Sequence, residues 1–296
     1  MRVITLLPAG TEIVAALGGA GYLVGISHEC DYPASVQSLP RVTATPVNIA
    51  APGAVIDAEV RRLRDGGQPV IGIAADLLRR LAPDLVITQD LCEVCAVADG
   101  EVHRLTTAMH PAPTVLSLQA HDLQGVWADI RRVGQALDLE DEAEELVLGL
   151  QSRLKRLLPG APAKAPRVLC IEWLEPLYLA GHWVPELVAA AGGQDVGDEP
   201  GSHSARRQWR ELRDLKPDHV VVMLCGFGID RARAELSSLQ DPEALELLRK
   251  VPVSIIDGNA YTSRPGPRLV EGARRIQWAL TERSFTEVPR WQPQLV

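Results

Sequence analysis

The sequence is poor in aromatic residues and lacks the motifs of the commonest enzyme classes. Phe, Trp and Tyr together make up only 4% of the 296 residues. No G-x-S-x-G nucleophile elbow, Walker phosphate loop or G-x-G-x-x-G motif is present, which leaves hydrolase, nucleotide and dinucleotide chemistry without support. No acid–base constellation is recognisable either. These absences favour a binding protein, and they leave open an enzyme whose chemistry resides in a bound metal or cluster.

Two further absences narrow the range of partners. No apolar run is long enough to cross a bilayer, and no basic stripe accompanies the net charge of −8, so nucleic acid is not expected. The apolar run at 3–7 is interrupted by Pro8 and Glu12, which predicts a strand that turns into a helix and not a signal peptide. We therefore expect a cytoplasmic protein with a small molecule as its partner.

The length of 296 residues predicts two lobes. Short apolar runs alternate with loops and helical patterns, which is typical of α/β folds with mainly parallel strands. Residues 140–158 interrupt this alternation, because acidic side chains crowd the start, basic ones crowd the end and leucines form one apolar stripe, as in a stiff helix. The predicted domains are an N-terminal lobe at 1–138, a bridging helix at 139–159, a C-terminal lobe at 160–281 and a polar tail at 282–296.

The loop after the apolar run 85–87 carries two thiols, Cys92 and Cys95, in C-x-x-C spacing. Such a pair is typical of a metal half-site, a redox pair or two small core residues. Cys30 and Cys225 occur at equivalent positions after other predicted strands, so these four thiols are expected to face one site. Thiolates suit a zinc ion, an iron–sulfur cluster or the metal of a bound corrinoid or heme.

The histidines divide into two groups by their surroundings. His28 and His182 lie in predicted loops among other polar residues, where a ligand role and a plain hydrogen-bonding role are both open. The other five are not part of such a loop and are expected to be surface residues or packing residues: His103, His110, His121, His203 and His219. Cys170 lies inside a predicted strand and is likewise expected to be structural.

Aromatic side chains recur in the loops that follow predicted strands. These residues are Trp173, Trp183, Phe227 and Tyr261. They are suited to stacking on a flat macrocycle, and equally to closing the edges of a lobe. Arg264 is suited to binding a carboxylate, phosphate or amide of a ligand, or to pairing with Asp257.

Several motifs, in order along the chain, carry a resemblance to a known family. They are R-V-I-T-L-L-P-A-G-T-E at 2–12, D-Y-P at 31–33, L-A-P-D-L-V-I at 81–87, G-G at 192–193 and S-R-P-G-P-R at 263–268. Together they resemble the cobalamin- and iron-chelate-binding proteins of ABC importers, most of all the cobalamin binders. The resemblance implies two Rossmann-like lobes with mainly parallel sheets, joined by one long rigid helix. It also implies a ligand held in the cleft between the lobes by strand-end loops of both.

The resemblance carries over to particular residues by their positions in these loops. The predicted ligand contacts, with His28 added from its loop, are His28, Cys30, Asp31, Tyr32, Gln89, Asp90, Cys92, Cys95, Glu172, Trp173, His182, Trp183, Cys225, Phe227, Tyr261 and Arg264. The predicted metal ligands among them are Cys30, Cys92, Cys95 and Cys225.

The sequence departs from the family at the positions that face a permease. Members that dock on a permease present a glutamate on each lobe, whereas the matching positions here are Asp76 and Arg210, the latter beside Glu211. Docking on a permease is therefore not expected. The predicted function is a binding protein that holds cobalamin, or a related corrinoid, tetrapyrrole or metal chelate, without evident catalysis. The alternative is a protein with a cysteine-ligated metal or iron–sulfur cluster that performs redox or ligand-processing chemistry.

Overall fold

The computed structural model describes residues 1–89, 99–157, 165–281 and 285–292. The chain forms two compact units. Unit 1 comprises Met1–Ala51, Ala58–Ala120 and Gln124–Gly149, and unit 2 comprises Pro52–Asp57, His121–Leu123 and Leu150–Val296. This division differs in detail from the predicted domains, because the segments at 52–57 and 121–123 cluster with unit 2.

Unit 1 is organised around a four-stranded parallel sheet. The elements of the first half of the chain are β1 (Val3–Thr5), α1 (Pro8–Ala16), β2 (Leu23–Gly25), β3 (Thr43–Ala44), α2 (Gly53–Asp65), β4 (Gly72–Ile73), α3 (Ala75–Leu81), β5 (Leu85–Gln89), α4 (Asp99–Thr107), β6 (Thr114–Leu118), α5 (Leu123–Ala136) and α6 (Glu140–Leu157). The sheet has the order β2-β1-β5-β6. Every residue of β1 and β5 is buried, as expected for apolar runs at the centre of a parallel sheet.

Helix α6 confirms the helix predicted at 140–158. Three acidic residues occupy its first turn and two basic residues its last turn, which matches the helix dipole at both ends. Its residues up to Gly149 belong to unit 1, and those from Leu150 belong to unit 2. No helix among the described residues has the length and apolar character that a bilayer crossing requires.

Unit 2 contains a larger, mixed sheet. Its further elements are β7 (Arg167–Leu174), β8 (Leu177–Leu179), α7 (Val184–Ala190), β9 (Gln194–Asp195), β10 (His219–Val222), α8 (Ile229–Ser238), α9 (Pro242–Lys250), β11 (Val253–Ile255), α10 (Gly258–Tyr261), α11 (Leu269–Ala279) and β12 (Arg290–Trp291). The strand order is β12-β11-β10-β7-β8, and β9 pairs with β7 beside this path. The central strands β11, β10 and β7 and the short β9 are parallel, whereas the outer strands β8 and β12 are antiparallel to their neighbours. The predicted fold class, two α/β lobes with mainly parallel sheets, is confirmed.

Two segments differ from the sequence prediction. Residues 172–174 were expected in a loop, but they extend β7, because Glu175 and Pro176 make a two-residue turn into the antiparallel strand β8. Part of the predicted polar tail joins the sheet of unit 2 as β12, where Trp291 pairs with Val253 and is buried. Burial of this one large side chain explains why a mostly polar segment folds back onto the sheet.

A glycine lets the loop after β11 lie against the end of β10. A Cβ atom on Gly258 would collide with the carbonyl oxygens of Leu224 and Met223. The helix α10 that begins at Gly258 therefore packs directly on the backbone that follows β10. This close approach brings two strand-end loops of unit 2 together.

Candidate functional site

The carboxyl ends of β7, β10 and β11 form one edge of the sheet in unit 2. These three strands are adjacent and parallel, so the loops that follow them emerge side by side. We call this region the carboxyl edge and define it by Glu172, Trp173, Cys225 and Tyr261. It is the place where open parallel sheets bind ligands.

Hydrogen bonds connect the loops of the carboxyl edge to one another. The backbone N–H of Cys225 donates to the carbonyl of Glu172 at 3.0 Å, and that of Asn259 donates to the carbonyl of Phe227 at 3.3 Å. The indole Nε1 of Trp183 donates to the carbonyl of Thr262 at 2.8 Å. The loops are thus held in place by the protein itself, which makes the edge a preformed surface.

The four residues that define the carboxyl edge are all partly exposed, whereas the neighbouring predicted contacts Phe227 and Trp183 are buried. Cys225 and Trp173 are partly exposed, and the Trp173 ring lies 5.2 Å from that of Phe227. Phe227 itself is buried, with the Arg231 guanidinium 3.7 Å from its ring centroid. Trp183 is also buried. Phe227 and Trp183 therefore support the loops from within, and their predicted ligand contacts stay predictions.

The loop after β11 is stabilised by arginines. The Arg275 guanidinium lies 3.6 Å from the ring centroid of Tyr261, a cation–π contact. Arg264 is buried and donates from Nη2 to Oδ1 of Asn259 at 2.8 Å. Binding of a ligand by Arg264, as predicted, would therefore compete with its hydrogen bond to Asn259.

The predicted contact residues of unit 1 follow β2 and β5. The Nδ1 atom of His28 lies 2.7 Å from Oγ1 of Thr43, and burial, followed by the nearby Arg41 guanidinium, lowers the pKa of His28. Asp31 and Tyr32 are exposed, whereas Gln89 is buried at the end of β5. Asp90, Cys92 and Cys95 lie outside the described residues. The ligand roles predicted in this unit stay predictions.

Of the four predicted thiol ligands, only Cys30 and Cys225 lie within the described residues, so the thiol cluster stays a prediction. Cys30 is only 1% exposed, and its Sγ atom lies 3.0 Å from Oγ1 of Thr11. Cys170 is buried within β7, as expected for a structural thiol. Neither of these nor Cys225 belongs to a group of three potential metal ligands among the described residues.

Three histidines of unit 2 converge, and two of them were expected only at the surface or in packing. His121, His182 and His203 each offer a ring nitrogen within 4.8 Å of the others. The ring centroid of His203 lies 5.4 Å from that of His121 and 5.3 Å from that of His182, and both interplanar angles are close to perpendicular. His203 is exposed, as predicted, but the closeness of His121 and His203 to His182 was not predicted. We call these three residues the histidine triad.

Electrostatics favour a neutral imidazole at His182, one member of the triad. Burial, followed by the proximity of His203 and His121, lowers the pKa of His182 to about 4. The Nδ1 atom of His182 is buried and has no hydrogen-bond partner among the described residues. His182 also has a positive φ of 52°, a strained conformation of the kind that concentrates at functional sites.

The acidic residues at the positions expected to face a permease form hydrogen bonds with residues three positions away in the sequence. Oδ1 of Asp76 accepts a hydrogen bond from Nη1 of Arg79 at 2.8 Å. Oε2 of Glu211 accepts one from the backbone N–H of Gln208 at 3.2 Å, as part of a capping box. Both are exposed arrangements of small energetic weight. The absence of permease docking stays a prediction, as does the cytoplasmic location.

The fold, two α/β units with mainly parallel sheets, agrees with the comparisons with known proteins. Residues 3–245 match the family described as "Periplasmic binding protein". The chain belongs to this family and is therefore a substrate-binding protein.

Similar proteins cover the whole chain or nearly all of it. An uncharacterised ABC transporter substrate-binding lipoprotein, YvrC of Bacillus subtilis (strain 168), is 24% identical, covering 97% of this chain and 82% of that protein. The vitamin B12-binding protein of Pectobacterium carotovorum subsp. carotovorum (strain PC1) is 23% identical, and the match covers 95% of this chain and 88% of that protein. The solved structure of a periplasmic heme-binding protein from Pseudomonas aeruginosa superimposes with a TM-score of 0.72 at 22% identity. The match covers 100% of this chain and 99% of that one.

Proposed function

We propose that this protein binds cobalamin or a related metal-containing tetrapyrrole such as heme, and that the carboxyl edge of unit 2 contacts the ligand. Membership of the family supports a small-molecule ligand, and a vitamin B12-binding protein and a heme-binding protein are similar to it over nearly the whole chain. The observation that carries the placement is the preformed edge formed by the ends of β7, β10 and β11.

The exposed side chains of this edge suit such a ligand. Trp173 offers part of an indole face for stacking on a macrocycle. Cys225 follows β10, the middle one of the three strands, and its partly exposed thiol is suited to approach the central metal. Thiolates are established axial ligands of heme iron. The alternative of a zinc ion or iron–sulfur cluster held by thiols has no support among the described residues.

A ligand titration tests this proposal directly. The purified protein is titrated separately with cyanocobalamin, hemin and a ferric hydroxamate, followed by absorbance and calorimetry. Saturable binding of one cyanocobalamin or hemin per chain is expected. Absence of binding to both, or binding of the ferric hydroxamate alone, overturns the proposal.

Substitution of a single thiol tests the placement of the ligand. Cys225→Ser is expected to weaken binding about tenfold and, if hemin binds, to shift its main absorbance band, because the axial thiolate is lost. The matched control is Cys170→Ala, which removes the thiol buried in β7 and should leave the affinity unchanged. Equal binding by wild type and Cys225→Ser would contradict the placement at the carboxyl edge.

A further inference from the structure

The histidine triad has the composition of a transition-metal site. Its three members, His121, His182 and His203, offer imidazole nitrogens that lie within 4.8 Å of one another, and the group contains no carboxylate. Imidazole suits zinc, copper and nickel, whereas magnesium and calcium require oxygen ligands. A donor set of three imidazoles thus selects one class of cation.

The separation of the donors requires only small side-chain movements. In a tetrahedral site with Zn–N bonds of about 2.0–2.1 Å, the ligand nitrogens lie about 3.4 Å apart. In the structure the three nitrogens lie within 4.8 Å of one another. Rotations about the side-chain bonds of the partly buried His182 and the exposed His203 can bring them to the closer spacing of a metal site. Three nitrogen ligands leave a fourth position open, as in zinc sites that bind water or an exogenous group.

The backbone around two of the ligands is tied together. The N–H of His182 donates to the carbonyl of Ser202 at 2.7 Å, and the N–H of Gly201 donates to the carbonyl of His182 at 2.9 Å. The carboxylate of Asp198 accepts bonds from the backbone N–H of Ala205 at 3.2 Å and from the Arg207 side chain at 2.8 Å. His182 and His203 therefore project from two loops that are fixed to each other.

The third ligand is fixed by a carboxylate on the helix that follows His182. The backbone N–H of Leu123 donates to Oε2 of Glu186 at 2.7 Å. Glu186 belongs to α7, which begins two residues after His182. This bond holds the segment that carries His121 beside the other two loops.

One ring nitrogen of the triad lacks a partner. The Nδ1 atom of His182 is buried without a hydrogen bond among the described residues, and an unsatisfied buried polar atom is costly. A metal ion coordinated at this Nδ1 atom would remove that cost. If the ring instead turns its Nε2 atom to the metal, Nδ1 can form a hydrogen bond, which also removes it.

We propose that His121, His182 and His203 bind one divalent transition-metal ion of the zinc class, with a fourth position open to water. This site is separate from the tetrapyrrole proposal, because a free metal ion occupies it and no macrocycle is needed. Binding would connect three segments of unit 2 that are distant in the sequence.

The experiment uses full-length protein made without a polyhistidine tag and stripped with a chelator. Zinc is titrated by calorimetry and by competition with a chromogenic chelator, and Co²⁺ is used as a spectroscopic probe of tetrahedral coordination. One Zn²⁺ per chain, an increased melting temperature and no binding of Mg²⁺ are expected. Wild-type protein that binds no Zn²⁺, or that binds it without saturating at one per chain, overturns the proposal.

Ligand variants identify the site. His121→Ala, His182→Ala and His203→Ala are each expected to weaken zinc binding by about 100-fold or more, since loss even of a supporting residue typically costs about 10–100-fold. The control His103→Ala removes an exposed histidine of unit 1 and should bind zinc as wild type does. Circular dichroism of each variant establishes that it is folded. If His182→Ala fails to fold, the variant His203→Ala still tests the site, because His203 is exposed. A zinc affinity of His203→Ala equal to that of wild type would overturn the proposal.

The two proposals fail independently. Zinc binding is measured without any tetrapyrrole, so its absence leaves the tetrapyrrole proposal intact. Conversely, a protein that binds zinc through the triad but neither cyanocobalamin nor hemin upholds the metal site and overturns the proposed function.

Discussion

The backbone N–H of His182 donates to the carbonyl of Ser202 at 2.7 Å, and this bond joins the two loops that carry His182 and His203. Gly181 makes the approach of these loops possible. A Cβ atom at position 181 would collide with the carbonyl oxygen of Ser202 and would lie 3.0 Å from the backbone nitrogen of Ser204. The geometry of the histidine triad thus depends on a residue that has no side chain.

We predict that Gly181→Ala weakens zinc binding about tenfold or more without removing a ligand. The added methyl group pushes the Ser202 backbone away, and His203 moves with it. The measurement is zinc affinity by chelator competition, together with circular dichroism. Ser204→Ala serves as the control, because it removes only the 3.3 Å bond from the Gly181 backbone N–H to the Ser204 hydroxyl and adds no atom. Unchanged affinity in Gly181→Ala would mean that the loops are not coupled in this way.

The sheets could be predicted from the sequence, whereas the triad could not. Apolar runs such as 85–87 are local signals, and the parallel strands lie where those runs predicted them. Nothing in the sequence around His121 and His203 marks them as ligands, and only the fold brings them to His182. Trp173 and Trp291 were likewise not predicted in strands. Trp173 pairs with Tyr178 across a two-residue turn, and Trp291 pairs with Val253, which is distant in the sequence.

Two helical glycines should respond to alanine in opposite directions. Gly149 lies in α6, is exposed, and has no atom within 4 Å of the position that a Cβ would occupy. Gly149→Ala is predicted to stabilise the protein by about 0.5–1 kcal/mol, since alanine loses less backbone entropy in a helix. Gly134 in α5 has the Ala143 side chain and the Leu139 carbonyl in that space, so Gly134→Ala is predicted to destabilise by about 1–3 kcal/mol.

The free energy of unfolding in urea measures both effects. Each glycine is the matched control for the other, because both substitutions add the same methyl group to a helix. Stabilisation of the protein by Gly134→Ala, or destabilisation by Gly149→Ala, would contradict the packing described around α5 and α6.

His219 is predicted to lower the stability of the protein as the pH falls. Burial, followed by the nearby Arg290 guanidinium, lowers its pKa from 6.5 to about 4. Between these two values the unfolded chain binds a proton that the folded protein does not, so stability is lost as the pH falls from 6.5 towards 4. The expected loss is on the order of 2–3 kcal/mol.

His219→Gln isolates this contribution. Glutamine retains a donor and an acceptor for Ser254, whose Oγ atom lies 3.1 Å from Nε2 of His219, but it does not titrate. Urea unfolding at a series of pH values should therefore show a shallower acid-side decline in the variant than in wild type. Parallel curves would show that His219 is not protonated on unfolding in this range.

Asp195 is predicted to have the opposite pH dependence. Its pKa is raised from 3.8 to about 7, chiefly because the carboxyl group is buried in β9, although the backbone N–H of Gly197 donates to its Oδ1 atom at 2.7 Å. The Cys170 thiol and Asp198 are the other titratable groups that affect it. The folded protein holds this proton more tightly than the unfolded chain, so stability falls as the pH rises from about 4 to about 7.

Asp195→Asn should remove this fall in stability, because asparagine has nearly the same shape, can still accept the bond from Gly197 and carries no charge. The variant is predicted to match wild type near pH 4 and to be more stable above pH 7 by on the order of 2–4 kcal/mol. The measurement is the free energy of unfolding in urea across this range, with Asp138→Asn as a control. Asp138 is exposed and has a positive φ of 56°, which asparagine tolerates, so its variant should follow the wild-type curve. A constant difference between Asp195→Asn and wild type at every pH would show that the Asp195 carboxyl does not retain its proton on folding.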